Sequence, residues 1–434
     1  MRWTLKPKPA PQKIADFAKE LGVDLAISEL LIQRGIDTFQ AAKTFFRPSW
    51  SDLHDPFLMK DMNAAVTRIQ SAIENKEQIL IYGDYDVDGT SSVALMASYL
   101  DTKSTKVSTY IPDRYDEGYG VSYKGIDYAS DNNFSLIIAL DCGVKAIEKV
   151  SYAKSKGIDF IICDHHRPGN ELPLAVAVLD PKRSDCNYPF KELCGCGVGF
   201  KLIQALASKD NQAVESLLSY LDLVATAIGA DIVPIVGENR ALAYLGLQVI
   251  NSKPRPGFMA IISQIKKETL TMTDVVFNIA PRINAAGRMM HGNYAVELMK
   301  ETDLKNAKSA AIEIENFNTS RREADKLITK EALEQIENAN ETNHATTVVY
   351  QDNWHKGVIG IVASRLIETY YRPTLVFTKS GDYLAASARS VRGFDVYNAL
   401  EKCSHLIEQF GGHMYAAGLT IKQDNYLAFK SAFE

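Results

Sequence analysis

The stretch QILIYGDYDVDGTSSVALMASYL, Gln78 to Leu100, carries an apolar run, an acidic loop closed by two glycines, and a segment of helical pattern in immediate succession. ILIY, only four residues long and stopped by Gly83, reads as a buried strand, and a helix is expected from Thr90. The acidic loop GDYDVDG, Gly83 to Gly89, therefore sits at the C-terminal end of a strand, where ligands bind in open α/β sheets. Its alternating Asp84, Asp86 and Asp88 also look like the start of a calcium loop. That reading fails, because no Glu closes the loop at its twelfth position and the flanks are strand and helix rather than two helices.

Outward from this point the same alternation continues: VSTYI, SLIIAL, a helix from Lys145, DFIIC and AVAVL. The pattern predicts a mostly parallel sheet covered by helices. Before it, Lys13 to Leu21 and Leu25 to Gln33 are spaced for helices, with Pro48 and Pro56 in loops. After it, Val198 to Ile265 reads as successive helices. From Lys305 to about Asn340, apolar residues recur at helical spacing without Pro or Gly, so one long helix or two in close succession is expected. TTVVY, a helix from Gly357, TLVFT and YLAASA then restore the alternation. The expected fold is α/β, with two α/β domains joined by a long helix and a cleft between them. The boundaries are a helical segment over residues 1–75 packed on the catalytic domain, that domain at 76–300, the connecting helix at 301–342, and a substrate-binding domain at 343–434.

At 434 residues, 46% apolar and 23% charged, the chain has the composition of ordinary globular proteins and enough length for more than one core. No apolar stretch approaches the length of a spanning helix and the start MRWTLKPKP has no signal-peptide pattern, which gives the cytoplasm as the expected location. The six cysteines are expected as free thiols. Cys186, Cys194 and Cys196 lack the CxxC spacing and nearby His of a zinc site, and Cys194 to Gly197 reads as a turn into a helix. The net charge of −5 runs against a nucleic-acid enzyme. A cluster of acidic metal ligands lowers formal charge without leaving a negative surface once metal binds, and a basic groove can be local.

Two further strands end like the first. SLIIAL runs into Asp141, and DFIIC runs into Asp164, His165 and His166, while Asp231 closes a helical run as a fourth acidic position. One such Asp is commonly a helix cap. Three strands delivering acid or imidazole at the same end point instead to a shared site. Carboxylates with imidazole and without thiolate suit Mn²⁺ or Mg²⁺, and two such ions activate water in phosphoryl displacement. No GxxxxGK[ST] sequence is present for ATP chemistry.

GDYDVDG, LDCGV, CDHH and GADIVP resemble the successive motifs of the DHH phosphoesterase superfamily. SARS (Ser387 to Ser390) and FGGH (Phe410 to His413) resemble those of its associated substrate-binding domain. IPDRYDEGYG, PRINAAGRM, NWHKGVIGIVASRL and the helical start after MRW are more narrowly similar to the RecJ-type exonucleases. The resemblance spans essentially the whole chain. It implies Asp84, Asp86, Asp141, His165 and Asp231 as ligands of two Mn²⁺ or Mg²⁺ ions, and His166 facing the scissile phosphate. Asp88 and Asp164 are then orienting residues. It further implies a pocket for a 5′-terminal phosphate at Arg114, Ser387 and Arg389, with Arg282 or Arg288 nearby and Gly411, Gly412 and His413 binding substrate.

The implied activity is 5′ to 3′ hydrolysis of single-stranded DNA to mononucleotides in repair and recombination, with a helicase and a single-strand-binding protein as possible partners. RecJ-type chains usually continue past the GGH region into an OB-fold, which is expected to be missing here after Glu434. Rival readings are a phosphodiesterase for short oligoribonucleotides or cyclic dinucleotides, and a non-catalytic replication scaffold; the full set of motif acids weighs against the scaffold.

Overall fold

The computed structural model describes residues 4–103 and 106–434; the MRW start lies outside the described residues. The chain forms two compact units. One holds the chain to Gly287 together with His291–Ile312, the other Arg288–Met290 with Glu313–Glu434.

The first unit opens with helices α1 (Pro11–Leu21), α2 (Leu25–Ile32), α3 (Phe39–Phe46) and α4 (Met62–Glu74). Asp24 and Thr38 cap α2 and α3 with their side chains, each contributing on the order of 1 kcal/mol. A buried polar knot ties this segment to the rest of the unit. Lys201 Nζ donates to the His54 carbonyl at 2.6 Å and to Glu238 Oε1 at 3.0 Å, and Tyr188 donates to the other Glu238 oxygen at 2.7 Å. A fully buried ion pair is tolerated only when its donors and acceptors are met in this way.

The sheet contains β1 (Gln78–Gly83), β2 (Lys106–Tyr110), β3 (Leu136–Leu140), β4 (Asp159–Cys163) and β5 (Ala177–Leu179), all parallel, in the order β2-β1-β3-β4-β5. β3 is apolar and buried at every position, as a strand covered on both faces must be. The strand order reverses beside β1, and the C-terminal ends of β1 and β3 are where ligands bind in sheets of this topology. Helix α5 (Val87–Asp101) starts at Val87, three residues earlier than the apolar pattern indicates. Asp86 takes the N-cap and accepts the Gly89 N–H at 3.0 Å, which draws the acidic loop into the helix's first turn. Helices α6 (Tyr123–Asp131) and α7 (Ile147–Ser155) follow β2 and β3; α7 begins two residues later than expected.

After β5 come α8 (Gly195–Lys209), α9 (Leu221–Ala230), α10 (Gly237–Ser252), α11 (Pro256–Ile262), α12 (Met272–Asp274), α13 (Ala280–Met289) and α14 (Asn293–Lys300). Cys194 caps α8 by accepting from Gly197 N, and all six cysteines are free and buried. The run from Leu304 is a single helix, α15 (Leu304–Asn338), shared between the two units.

The second unit has a five-stranded sheet of β6 (Thr347–Tyr350), β7 (Thr374–Ser380), β8 (Tyr383–Arg389), β9 (Gln409–His413) and β10 (Ala416–Lys422), ordered β6-β7-β8-β10-β9. Only β6 and β7 pair in parallel. Helices α16 (Ile359–Tyr370), α17 (Val396–Lys402) and α18 (Tyr426–Phe433) complete it. FGGH lies within β9, and Gly412 there has φ 146° with the space of a Cβ already filled by the backbone of Ala416 and Ala417. Among the described residues no helix is long and apolar enough to cross a membrane.

Candidate metal centre and phosphate-binding residues

Parallel pairing in register sets the ends of three strands side by side. Gly83 pairs with Leu140 and Leu140 with Cys163, so Asp84, Asp141 and Asp164 leave adjacent strands at one level. Asp141 makes the turn in a left-handed conformation, φ 60°, an uncommon state for a side chain with a Cβ. Its N–H is held by the Cys163 carbonyl at 2.8 Å, and its carboxyl faces the start of α8. A Cβ on Gly195 would lie 2.5 Å from Asp141 Oδ1, so only glycine allows α8 this close.

His165 Nε2 lies 3.2 Å from Asp141 Oδ1, 3.6 Å from Asp231 Oδ2 and 3.8 Å from Asp88 Oδ2. These atoms form two overlapping groups, Asp141 with His165 and His166, and Asp88 with His165 and Asp231, each able to hold an ion. Asp231 is the C-cap of α9, and its Oδ1 accepts from Ile232 N. Asp84 Oδ1 faces the Gly120 N–H at 3.5 Å, and Asp86 serves as the α5 cap through Oδ1. Neither belongs to the two groups, although both lie close enough to raise the carboxyl of Asp141.

Electrostatics supports a cation here. Burial pushes the carboxyls of Asp84, Asp86, Asp88 and Asp141 above the usual range, and their neighbours' negative charges add to it. A divalent ion inverts that balance. Burial also holds the His165 imidazole down at about 4, so it is neutral and ligand-ready at physiological pH. Asp141 Oδ1 and Asp231 Oδ2 are buried without a hydrogen bond, which fits atoms disposed toward metal rather than protein.

The sequence undervalues Asp88. Its two oxygens accept the first N–H groups of α8, from Gly195 and Cys196, both at 2.7 Å, while Oδ2 still faces His165. It therefore joins the helix start to the cluster. Asp164 is held against both histidines. One oxygen accepts from His165 N, His166 N and His166 Nδ1 at 2.7, 3.1 and 2.8 Å, and the other from Val144 N at 2.9 Å. Burial alone would raise its carboxyl, but these donors hold it at about 2. Asp180 after β5, missed in the sequence, is also buried, and burial pushes its carboxyl up to about 7.

The arginines and the GGH segment divide between the units. In the first, Arg114 stacks its guanidinium over Tyr85, 4.4 Å from the ring centre, and Arg282 donates to the Asn278 carbonyl at 2.6 Å. In the second, Arg389 donates to Ser387 Oγ at 3.0 Å on β8, and both border Gly360 in the first turn of α16. Arg288 donates to the Gly357 carbonyl at 3.2 Å, just before the same helix. Cross-strand register adds the rest: Arg389 pairs with Ala416 and Ala416 with His413, while Ser387 pairs with Gly418 and Gly418 with Gly411. Ser387, Arg389, Gly411 and His413 thus share one face of the sheet, with Ser387 and Arg389 beside a helix N-terminus, an arrangement suited to phosphate, whereas Gly412 pairs with Ala417 on the other face.

Comparison with known proteins agrees with this layout. Residues 78–228 match the DHH family, N-terminal domain, and residues 342–434 match the DHHA1 domain. The single-stranded-DNA-specific exonuclease RecJ of Bacillus subtilis (strain 168) is 38% identical over 434 residues, covering 98% of this chain and 54% of the relative. The enzyme of that name from Dickeya dadantii (strain 3937) is 35% identical over 428 residues, covering 94% of this chain and 74% of the relative. A crystal structure of RecJ in complex with Mn²⁺ from Thermus thermophilus superimposes with a TM-score of 0.87 at 26% identity, covering 100% of this chain and 62% of that one. The chain thus spans about half the length of the Bacillus relative. With matching domains in matching order and a relative of which it covers about three quarters, the chain belongs to the RecJ family.

Proposed function

We propose that this chain is a divalent-metal-dependent exonuclease that hydrolyses single-stranded DNA from its 5′ end to 5′-mononucleotides. The observation that carries the reading is the cluster of buried Asp84, Asp88, Asp141 and His165 with half-buried Asp86 and Asp231 at the switch point of a parallel sheet. Asp84, Asp86, Asp141, His165 and Asp231 would hold two Mn²⁺ or Mg²⁺ ions, as their oxygen and imidazole donors suit. When bound, such ions supply an activated water and stabilise charge in phosphoryl displacement.

The chain's own groups do the rest. Asp164 fixes the His166 ring through Nδ1–H, and although burial opposes it, the carboxylate raises the imidazole's proton affinity. His166 then presents Nε2 toward the scissile phosphate. Arg389, Ser387 and the first turn of α16 take the terminal phosphate, with Arg114, Arg282 or Arg288 and the Gly411–His413 segment as further contacts. Binding of the 5′ phosphate at that patch would define the polarity of cutting. Such an enzyme works in the cytoplasm, in repair and recombination, where a helicase opens the duplex and a single-strand-binding protein coats it.

The test is Mn²⁺-dependent release of nucleotides from matched 5′-phosphorylated DNA, short RNA and cyclic dinucleotides. Mononucleotides freed from the DNA 5′ end at a rate exceeding the other two are expected. Faster turnover of short RNA or cyclic dinucleotides would overturn the DNA assignment.

A further inference from the structure

The loop Asp113–Gly120 carries a tyrosine that the roles above leave unused. Tyr119 stands between two glycines in the left-handed region, Gly118 at φ 81° and Gly120 at φ 77°, which turn the chain so that its ring reaches the strand ends. The ring packs edge-on against Tyr85, at 6.3 Å between centroids, and against His166, at 5.9 Å. Its hydroxyl donates to the Asp141 carbonyl at 3.3 Å and lies 3.3 Å from His166 Nε2. Most of the cluster is closed: the side chains of Asp88, Asp141, Asp164 and His165 are 2–8% exposed. Tyr119 at 53% and the His166 side chain at 46% are open to solvent and form one wall of the site.

We propose that the Tyr119 hydroxyl is a further catalytic group, which donates to the non-bridging oxygen of the scissile phosphate that His166 Nε2 faces. This rests on the exonuclease reading. The hydroxyl and Nε2 lie 3.3 Å apart, so an oxygen placed beside Nε2 is within an ordinary hydrogen-bond length, roughly 2.8 Å, of the tyrosine O–H. With Nδ1–H engaged by Asp164, the His166 ring cannot turn away, so Nε2 stays beside the tyrosine. A phenol both donates and accepts, so Tyr119 bonds to the Asp141 carbonyl or to Nε2 when the site is empty and turns its O–H to the phosphate when one arrives. Donors held in place before charge develops add to the rate rather than to binding.

The decisive variant is Tyr119→Phe, which keeps the ring contacts and removes one hydroxyl. On 5′-phosphorylated single-stranded DNA with Mn²⁺, kcat should fall at least about ten-fold, with KM within about two-fold of wild type. A phosphorothioate at the first linkage should slow the wild type more than it slows Tyr119→Phe, because the variant has already lost one contact to the substituted oxygen. A second readout does not need turnover. In chain labelled with ¹⁵N-histidine, with the resonance assigned through His166→Gln, Nε2 of His166 should shift between wild type and Tyr119→Phe. An unchanged kcat, an undiminished thio effect, or an unshifted Nε2 resonance would each overturn the role of Tyr119. Wild-type chain that releases nothing from DNA, yet shows the Nε2 shift, would retire the exonuclease reading while leaving the Tyr119–His166 pair standing. The same inactive chain without the shift would remove both.

Discussion

At Asp141 backbone and side chain are under one constraint. The left-handed turn points the carboxyl at His165, and Gly195 gives it room on the other side. Asn tolerates that conformation nearly as well as Asp, so Asp141→Asn removes charge without altering the turn. Hydrolysis should fall by more than ten-fold, about 1.4 kcal/mol or more in barrier, while the melting temperature measured without metal stays the same or rises, since a repelled carboxylate is gone. A variant retaining more than a tenth of the wild-type rate would take Asp141 out of the metal site. Asp164 should behave in the opposite way. Its carboxyl is held at about 2, below the ordinary 3.8, so its contribution to stability is complete above the ordinary value and lost as pH falls through the folded one. Asp164→Asn should therefore destabilise the chain at neutral pH, by roughly 1.5–3 kcal/mol for loss of charge-assisted hydrogen bonds, with the deficit shrinking below about pH 4. Denaturant melts at pH 7 and pH 3.5 would check this; an equal deficit at both would show that ionisation is not what Asp164 supplies.

At the scale of elements, the apolar strands were readable because they are short, continuous and stopped by glycine or acid, and their order along the chain already implied a parallel sheet. The start of α5 was not, because apolar periodicity begins at Thr90 whereas the helix is set by the Asp86 cap. Asp88 was underrated for a related reason: its partners, Gly195 and Cys196, lie more than a hundred residues away, and only folding brings the α8 N-terminus to it. Tyr119 lies inside IPDRYDEGYG but drew no role of its own, because only folding sets its hydroxyl beside His166. In the second unit, by contrast, SARS and FGGH became one patch only through the antiparallel register of β8, β10 and β9. Arg389 reaches Ser387 and the α16 start from that sheet, so Arg389→Ala should raise KM and weaken the preference for 5′-phosphate over 5′-hydroxyl ends. A charge-assisted contact of about 1.5–3 kcal/mol corresponds to roughly ten- to hundred-fold. Matched oligonucleotides at one salt concentration measure it, because phosphate affinity depends on salt. An unchanged preference would remove Arg389 from end recognition.

For the whole molecule, the acidic cluster makes stability depend jointly on pH and divalent metal. Asp84, Asp86, Asp88 and Asp141 are all shifted above the ordinary carboxylate value, chiefly by burial. For a group raised in the folded state, the folded chain keeps its proton where the unfolded chain has lost it, so stability declines as pH rises from the unfolded value of about 3.9 toward the folded one. The net charge of −5 acts in the same direction at neutral pH. Metal and protons compete for these oxygens, and metal binding to the folded state alone adds stability by mass action, on the order of 2.7 kcal/mol at a hundred times Kd. Thermal melts with and without saturating Mn²⁺ should therefore show a larger rise in Tm at pH 7.5 than at pH 5. Asp141→Asn should reduce the rise at pH 7.5, because it removes one carboxylate from the cluster. The same rise at both pH values, or an undiminished one in Asp141→Asn, would mean that Mn²⁺ stabilises the chain at some other place, and that the buried carboxylates at the strand ends are not where the ions bind.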